Sequence, residues 1–212
     1  MRLRFSLLLV SAAILACAAP TDTGTGPDDT SGGGNDTSGG DDTGGGGNGN
    51  VVRMETTLGT ITIEVDPENA PITAPNFLTY VDEGFFDGDD DQGATTFHRV
   101  ISEFMAQGGG YTSSGAEKQT HDPIKLEADN GLSNLRGTIA MARTNNPNSA
   151  TSQFFINVVD NTFLDASASS DGYAVFGEVT DGMDVVDEIV SVATDAGDAP
   201  LDTIEITDCE RE

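Results

Sequence analysis

The 212-residue sequence predicts a mainly β domain, a closed eight-stranded antiparallel β-barrel capped by two α-helices. Three observations lead there. About eight short apolar or alternating runs, separated by turn residues, lie between Val51 and Cys209. Only two stretches, 70–83 and 182–192, carry apolar residues at helical spacing, too far apart to alternate with strands in βαβ units. A sheet of that many strands also exposes unpaired edges unless it closes on itself.

Taken in order, 51–57 and 60–65 are two β runs joined at Leu58-Gly59. In the second, Ile61, Ile63 and Val65 alternate with Thr60, Thr62 and Glu64, which buries one face and wets the other. The spacing predicts a hairpin. The helix over 70–83 has Pro71 and Pro75 near its start, an apolar stripe of Phe77, Leu78 and Val81, and Gly84 to close it. Residues 87–93, D-G-D-D-D-Q-G, are similar to the first half of a calcium loop, but the glycine falls one place late and His98 stands where the last ligand belongs. They read as an exposed acidic insertion. Strands follow at 97–101 and 104–107. Gly108-Gly109-Gly110 precedes neither a helix nor a lysine, so it reads as a turn and not as a phosphate cradle. A long polar loop covers 111–135, and a strand covers 137–142. Residues 143–151 are turn-rich, and 152–158 form a strand with bulk on both faces at Gln153-Phe154-Phe155-Ile156. A further strand is expected at 173–179. Met183, Val186, Ile189 and Val190 mark the second helix, and 201–209 the last strand, with Ile204 and Ile206 on one face.

The N-terminal quarter differs in kind. Arg2 and Arg4 precede an apolar run of about twelve residues, too short to span a bilayer, so 1–19 reads as an export signal. Ile14-Leu15-Ala16-Cys17 resembles a bacterial lipoprotein box, which makes Cys17 the expected lipidation site and new N-terminus. Residues 20–50 are almost only Gly, Asp, Thr, Ser and Asn, and read as a disordered tether. From Cys17 to Asn50 such a coil reaches roughly 30 Å. The expectation is an exported cell-envelope lipoprotein held to the membrane through this anchor alone, or a secreted soluble protein if Cys17 leaves with the signal.

Charge and composition narrow the function. Acids outnumber bases 36 to 9, for a net −27. Six acids and two bases precede Val51, leaving 30 against 7, so the domain itself carries −23. Such a surface repels phosphate backbones and excludes nucleic acid as a partner. Two histidines, His98 and His121, rule out a multi-histidine metal centre, and two cysteines rule out a disulfide framework. No nucleophile with an adjacent base is visible.

Five separated motifs carry the functional reading: F-H-R-V-I-S-E-F-M-A-Q-G-G-G at 97–110, G-T-I-A-M-A-R at 137–143, S-Q-F-F-I-N at 152–157, F-L-D at 163–165 and Y-A-V-F-G at 173–177. In this order, across the whole domain 51–212, they resemble the cyclophilins, in particular the bacterial exported branch. The resemblance implies peptidyl-prolyl cis–trans isomerase activity without a cofactor, by a monomer, on proline-containing polypeptides, in a groove on the outside of the barrel. It implies Arg99 as the catalytic residue. It implies a proline pocket of Phe104, Met105, Phe155 and Leu164, a backbone contact from Gln107, and a second from Ala142 or Arg143. Phe163 and Tyr173 stand where many eukaryotic members have tryptophan and histidine.

The residue types suit that chemistry. The X–Pro bond turns slowly because its nitrogen lone pair is delocalised, with a barrier of roughly 18–20 kcal/mol. A permanently charged, planar donor aimed at the prolyl nitrogen competes for the lone pair. No proton changes hands, which fits the missing base. The alternative is a catalytically weak module of the same fold that only holds proline segments.

Overall fold

A computed structural model describes residues 49–212, within a compact unit spanning Gly46–Glu212. The expected export signal, lipidation site Cys17 and most of the tether lie outside the described residues. Eight strands are present: β1 (Val51–Thr56), β2 (Gly59–Val65), β3 (Thr95–Ile101), β4 (Met105–Thr112), β5 (Thr138–Met141), β6 (Phe154–Asn157), β7 (Val175–Asp181) and β8 (Ile206–Arg211). Two helices, α1 (Thr73–Asp82) and α2 (Met183–Ser191), and a short 3₁₀ turn at Thr162–Leu164 complete the secondary structure among the described residues.

All strand pairs are antiparallel, in the order β3-β4-β6-β5-β7-β2-β1-β8. The outermost strands then meet. Phe97 N–H of β3 donates to Ile204 O just before β8 at 2.9 Å, and Thr96 bridges Glu205. The sheet thus becomes a nearly closed barrel, and its edges are largely consumed.

The alternation in β2 does what its period requires: Ile61, Ile63 and Val65 are buried inward. The interior is an aromatic stack in which Phe77 of α1 meets Phe86, Phe154 and Phe176 with ring centroids 5.2–5.7 Å apart. Val186, Ile189 and Val190 of α2 join the same core. The first turn of α1 lacks a local side-chain cap. Glu127, from the long loop, supplies one by accepting from Ile72 N–H, Thr73 N–H and Thr73 Oγ1 at 2.7–2.9 Å.

Three expectations need correcting. Gly108-Gly109-Gly110 is not a turn; β4 runs straight through it. The glycines are required by close approach. Gly109 has φ +78°, and a Cβ there would stand 2.8 Å from the Phe154 ring; one on Gly110 would stand 2.5 Å from Gln153 Cγ. The acidic segment 87–93 is also not simply a solvated insertion. Lys118 Nζ, with its side chain 1% exposed, donates to Phe85 O (2.6 Å), Gly93 O (2.8 Å) and Asp90 Oδ1 (2.9 Å), and lies 4.4 Å from the Phe85 ring centroid. An internal ammonium organises the loop. The last strand also begins later than expected, because Ile204 is buried in coil before β8 starts.

Removing that cation strands a nearly buried carboxylate and two carbonyls. Lys118→Met is therefore expected to lower unfolding stability by about 3 kcal/mol, read as a drop in the urea midpoint at pH 7.

Candidate functional site

A barrel strand shows one face to the core and the other to the outside, so the position of Arg99 depends on parity. Phe97 and Val100 of β3 both point into the core. Three residues apart, they cannot share a face of a regular strand. The register explains it: Phe97 pairs with Gly108 and Arg99 with the very next residue of β4, Gln107. His98 is the extra residue of a β-bulge. The bulge returns Arg99 to the outer face, beside Gln107 and in phase with Ile101 and Met105.

The outer face at this place is apolar. Met105 of β4, Phe155 of β6, Ala140 of β5 and Val175 of β7 lie on adjacent strands and form a second buried cluster, separate from the barrel interior. Ile101, Phe104, Leu132, Ala142, Leu164 and Tyr173 close in around it. Two ring contacts shape the walls. Phe155 meets Tyr173 edge-on at 5.7 Å, and Phe104 stacks on Phe163 at 5.8 Å. Of the residues expected to bind substrate, Phe104, Met105, Ala142, Phe155, Leu164 and Tyr173 thus converge on one cluster. Phe163 stands at its rim, 69% exposed, and Gln107 stands beside Arg99.

Polar contacts set the remaining geometry. Gln107 Nε2 donates to Gln153 Oε1 at 3.0 Å. Gln153 was not expected as a site residue. The signal lies in the run expected at 152–158, where Gln153 and Phe155 share parity. Arg143 Nε donates to Gly172 O at 2.9 Å and its guanidinium lies 4.6 Å from the Tyr173 ring centroid, so it braces that wall, while the Ala142 side chain lines the cluster. Arg99 Nε is 3.6 Å from Asp198 Oδ2, with both side chains roughly 40% exposed. At that exposure the pair contributes well under 1 kcal/mol, and the guanidinium stays available to a ligand.

His98 lies behind this surface. Burial pushes its pKa down to about 4, helped by the Arg99 charge and opposed by the Thr96 backbone and the Gln153 side chain. The ring packs edge-on to Tyr111 at 4.8 Å, and its Nδ1 is buried without a hydrogen-bond partner. It is a neutral spacer at physiological pH. Among the described residues no three His, Cys, Asp or Glu side chains cluster as metal ligands.

A sequence model of the family described as "Cyclophilin type peptidyl-prolyl cis-trans isomerase/CLD" matches residues 51–211. The chain belongs to the cyclophilin-type peptidyl-prolyl cis–trans isomerases. It is 58% identical to a peptidyl-prolyl cis-trans isomerase of Acinetobacter baylyi over 144 residues, covering 68% of this chain and 73% of the relative. It is 54% identical to peptidyl-prolyl cis-trans isomerase B of Escherichia coli over 147 residues, covering 68% and 86%. A cyclophilin-type isomerase from Cryptosporidium parvum, crystallised in the presence of the dipeptide Ala-Pro, superposes with a TM-score of 0.63 at 26% identity, over 76% of this chain and 98% of that one. This cyclophilin therefore has the family's barrel, with an apolar outer cluster on the same face as an arginine.

The buried neutral His98 makes stability pH-dependent. A histidine with its pKa lowered in the folded state binds protons more readily when unfolded, so stability rises with pH from about 4 to 6.5 and is lost as pH falls. Acidification from pH 7 to 4 is expected to remove up to roughly 3 kcal/mol through this group. His98→Gln should flatten that part of the melting-temperature profile, as followed by circular dichroism.

Proposed function

We propose that this cyclophilin accelerates rotation about X–Pro bonds by binding the prolyl ring in the outer cluster of Phe104, Met105, Phe155 and Leu164 while Arg99 donates to the prolyl nitrogen. The observation that carries the reading is the His98 bulge. It puts the guanidinium on the same face as an apolar cluster made by four adjacent strands. The pocket holds the ring, and the acyl side of the bond turns. A directed N–H draws the nitrogen lone pair out of conjugation as the bond twists, which is stabilisation specific to the transition state. Lowering the barrier by about 7 kcal/mol would give roughly 10⁵-fold acceleration. Gln107, held by Gln153, offers an amide to the substrate backbone, and the Ala142 backbone runs along the groove. The substrates under this reading are proline-containing polypeptides met outside the cytoplasm, in keeping with the expected export signal. The lipoprotein box at Cys17 supports anchoring through a lipid, with 20–50 as the tether that holds domain 51–212 off the membrane.

Arg99→Ala in the full chain should lower kcat/KM on a proline tetrapeptide by about 10²-fold with the fold intact. Arg99→Lys should rescue little, because an ammonium lacks the planar donors. An unchanged rate in Arg99→Ala would overturn Arg99 as the donor, and a wild-type rate no higher than background would transfer support to a module that binds without turnover. Wild-type kcat/KM should also be flat from pH 6 to 9, since His98 stays neutral and no proton is transferred.

Cys17→Ser should abolish incorporation of labelled fatty acid and release the protein from membranes. Absence of label on the wild type would exclude the anchor.

A further inference from the structure

The F-L-D motif at 163–165 contains a carboxylate that the groove itself does not use. Asp165 leads instead into a line of amides beneath the cluster. Asn161 Nδ2 donates to Asn157 Oδ1 at 2.8 Å, Asn157 Nδ2 to Asn134 Oδ1 at 3.2 Å, and Asn134 Nδ2 to Asp165 Oδ1 at 2.9 Å. Asn134, Asn157 and Asn161 are all buried. The three amides are oriented head to tail, and the chain ends on a carboxylate that also accepts from Asn134 N–H (2.8 Å) and Ser133 Oγ. These hydrogen bonds hold the Asp165 pKa below the ordinary carboxylate range against the opposing effect of burial.

The ladder's outer contacts fall on the two sides of the proposed pocket. At one end Asn161 Nδ2 donates to Phe104 O at 2.9 Å. At the other, Asn134 Nδ2 reaches Tyr173 O at 3.3 Å, and Tyr173 N–H donates to Leu164 O at 2.9 Å. Between them Asn157 Nδ2 is tied to Thr138 Oγ1 of β5 at 3.0 Å. Phe104 and Tyr173 are distant in sequence and come from different loops. No direct strand pairing joins their backbones. A line of buried dipoles ending on a negative charge is mutually polarising, and each bond in it strengthens its neighbours.

We propose that Asn161, Asn157, Asn134 and Asp165 form one positioning unit that fixes the Phe104 wall relative to the Leu164–Tyr173 wall, and so sets the affinity for the prolyl ring. None of the four touches substrate. The proposal rests on reading the outer cluster as the proline site. Each residue deepens that site through the unit and not through its own segment alone.

The test is a double-variant cycle in the full chain, with Asn161→Ala at one end, Asp165→Asn at the other, and both together. Each single variant is expected to raise KM for an Ala-Pro tetrapeptide about tenfold with kcat little changed, and the double variant to lose no more than the worse single. Losses that multiply in the double variant would show two local supports and overturn the unit. So would a fall in kcat at constant KM. Thermal unfolding identifies folded variants, and Asn161→Ser carries the same cycle if Asn161→Ala does not fold. If the wild type binds the peptide without turning it over, the isomerase reading fails, while the same cycle read in Kd still decides the ladder. Absence of both turnover and binding overturns the site and the ladder together.

Discussion

The inner face of every strand in a closed barrel belongs to the core, so a barrel that acts on a peptide must do so with what its strands point outward. In this cyclophilin that depends on one extra residue in β3. Phe97 and Val100 are both core residues, and only the bulge at His98 lets both be buried while Arg99 and Ile101 face out. A regular strand would bury the guanidinium or expose Phe97. Either costs several kcal/mol, so the register is strongly fixed. The bulge residue has to fill its own space without charge, and burial ensures that for the imidazole.

The second constraint is that the outer face of β4, β6, β5 and β7 is apolar. An exposed patch of that kind marks a binding surface. Here it is shielded by side chains from loops, and those loops need supports of their own. Buried amides supply them. An unpaired buried amide would cost roughly 1–3 kcal/mol, so three in succession persist only because each satisfies the next. The same loops expose Phe163 at the rim, where it stacks on Phe104 and extends the apolar surface towards solvent.

The acidity of the domain fits this arrangement. With a net −23 over 51–212, cations are scarce and most are claimed. Arg53, Arg136 and Arg211 are each within 2.8 Å of a carboxylate oxygen, and Lys118 is enclosed under the acidic loop. The two arginines at the groove are held more loosely by charge. Arg99 has a long, half-exposed contact with Asp198, and Arg143 leans on a ring and two carbonyls. Arg99 and Arg143, the two that lack a close carboxylate at this face, lie where the apolar cluster is.

Much of the architecture follows from local pattern. The period of two in β2, the helical stripes of α1 and α2 and the count of strands point to a mainly β barrel with two helices, because spacing is what a linear string records. Arg99, Phe104, Met105, Gln107, Phe155, Leu164 and Tyr173 come from the resemblance of five ordered motifs to the cyclophilins. Three other features depend on partners far along the chain. The triple glycine reads locally as a turn, and only the proximity of Phe154 and Gln153 makes it the middle of a strand. Lys118 falls in a stretch that reads only as a long polar loop, and folding closes three oxygens from 85–93 around it. Asn134, Asn157 and Asn161 read as loop and strand-end polar residues, and only folding aligns their dipoles between two walls of one pocket. Spacing along one chain fixes which face a side chain takes only where the strand is regular; at the His98 bulge, and wherever a side chain meets a distant segment, pairing within the closed barrel decides.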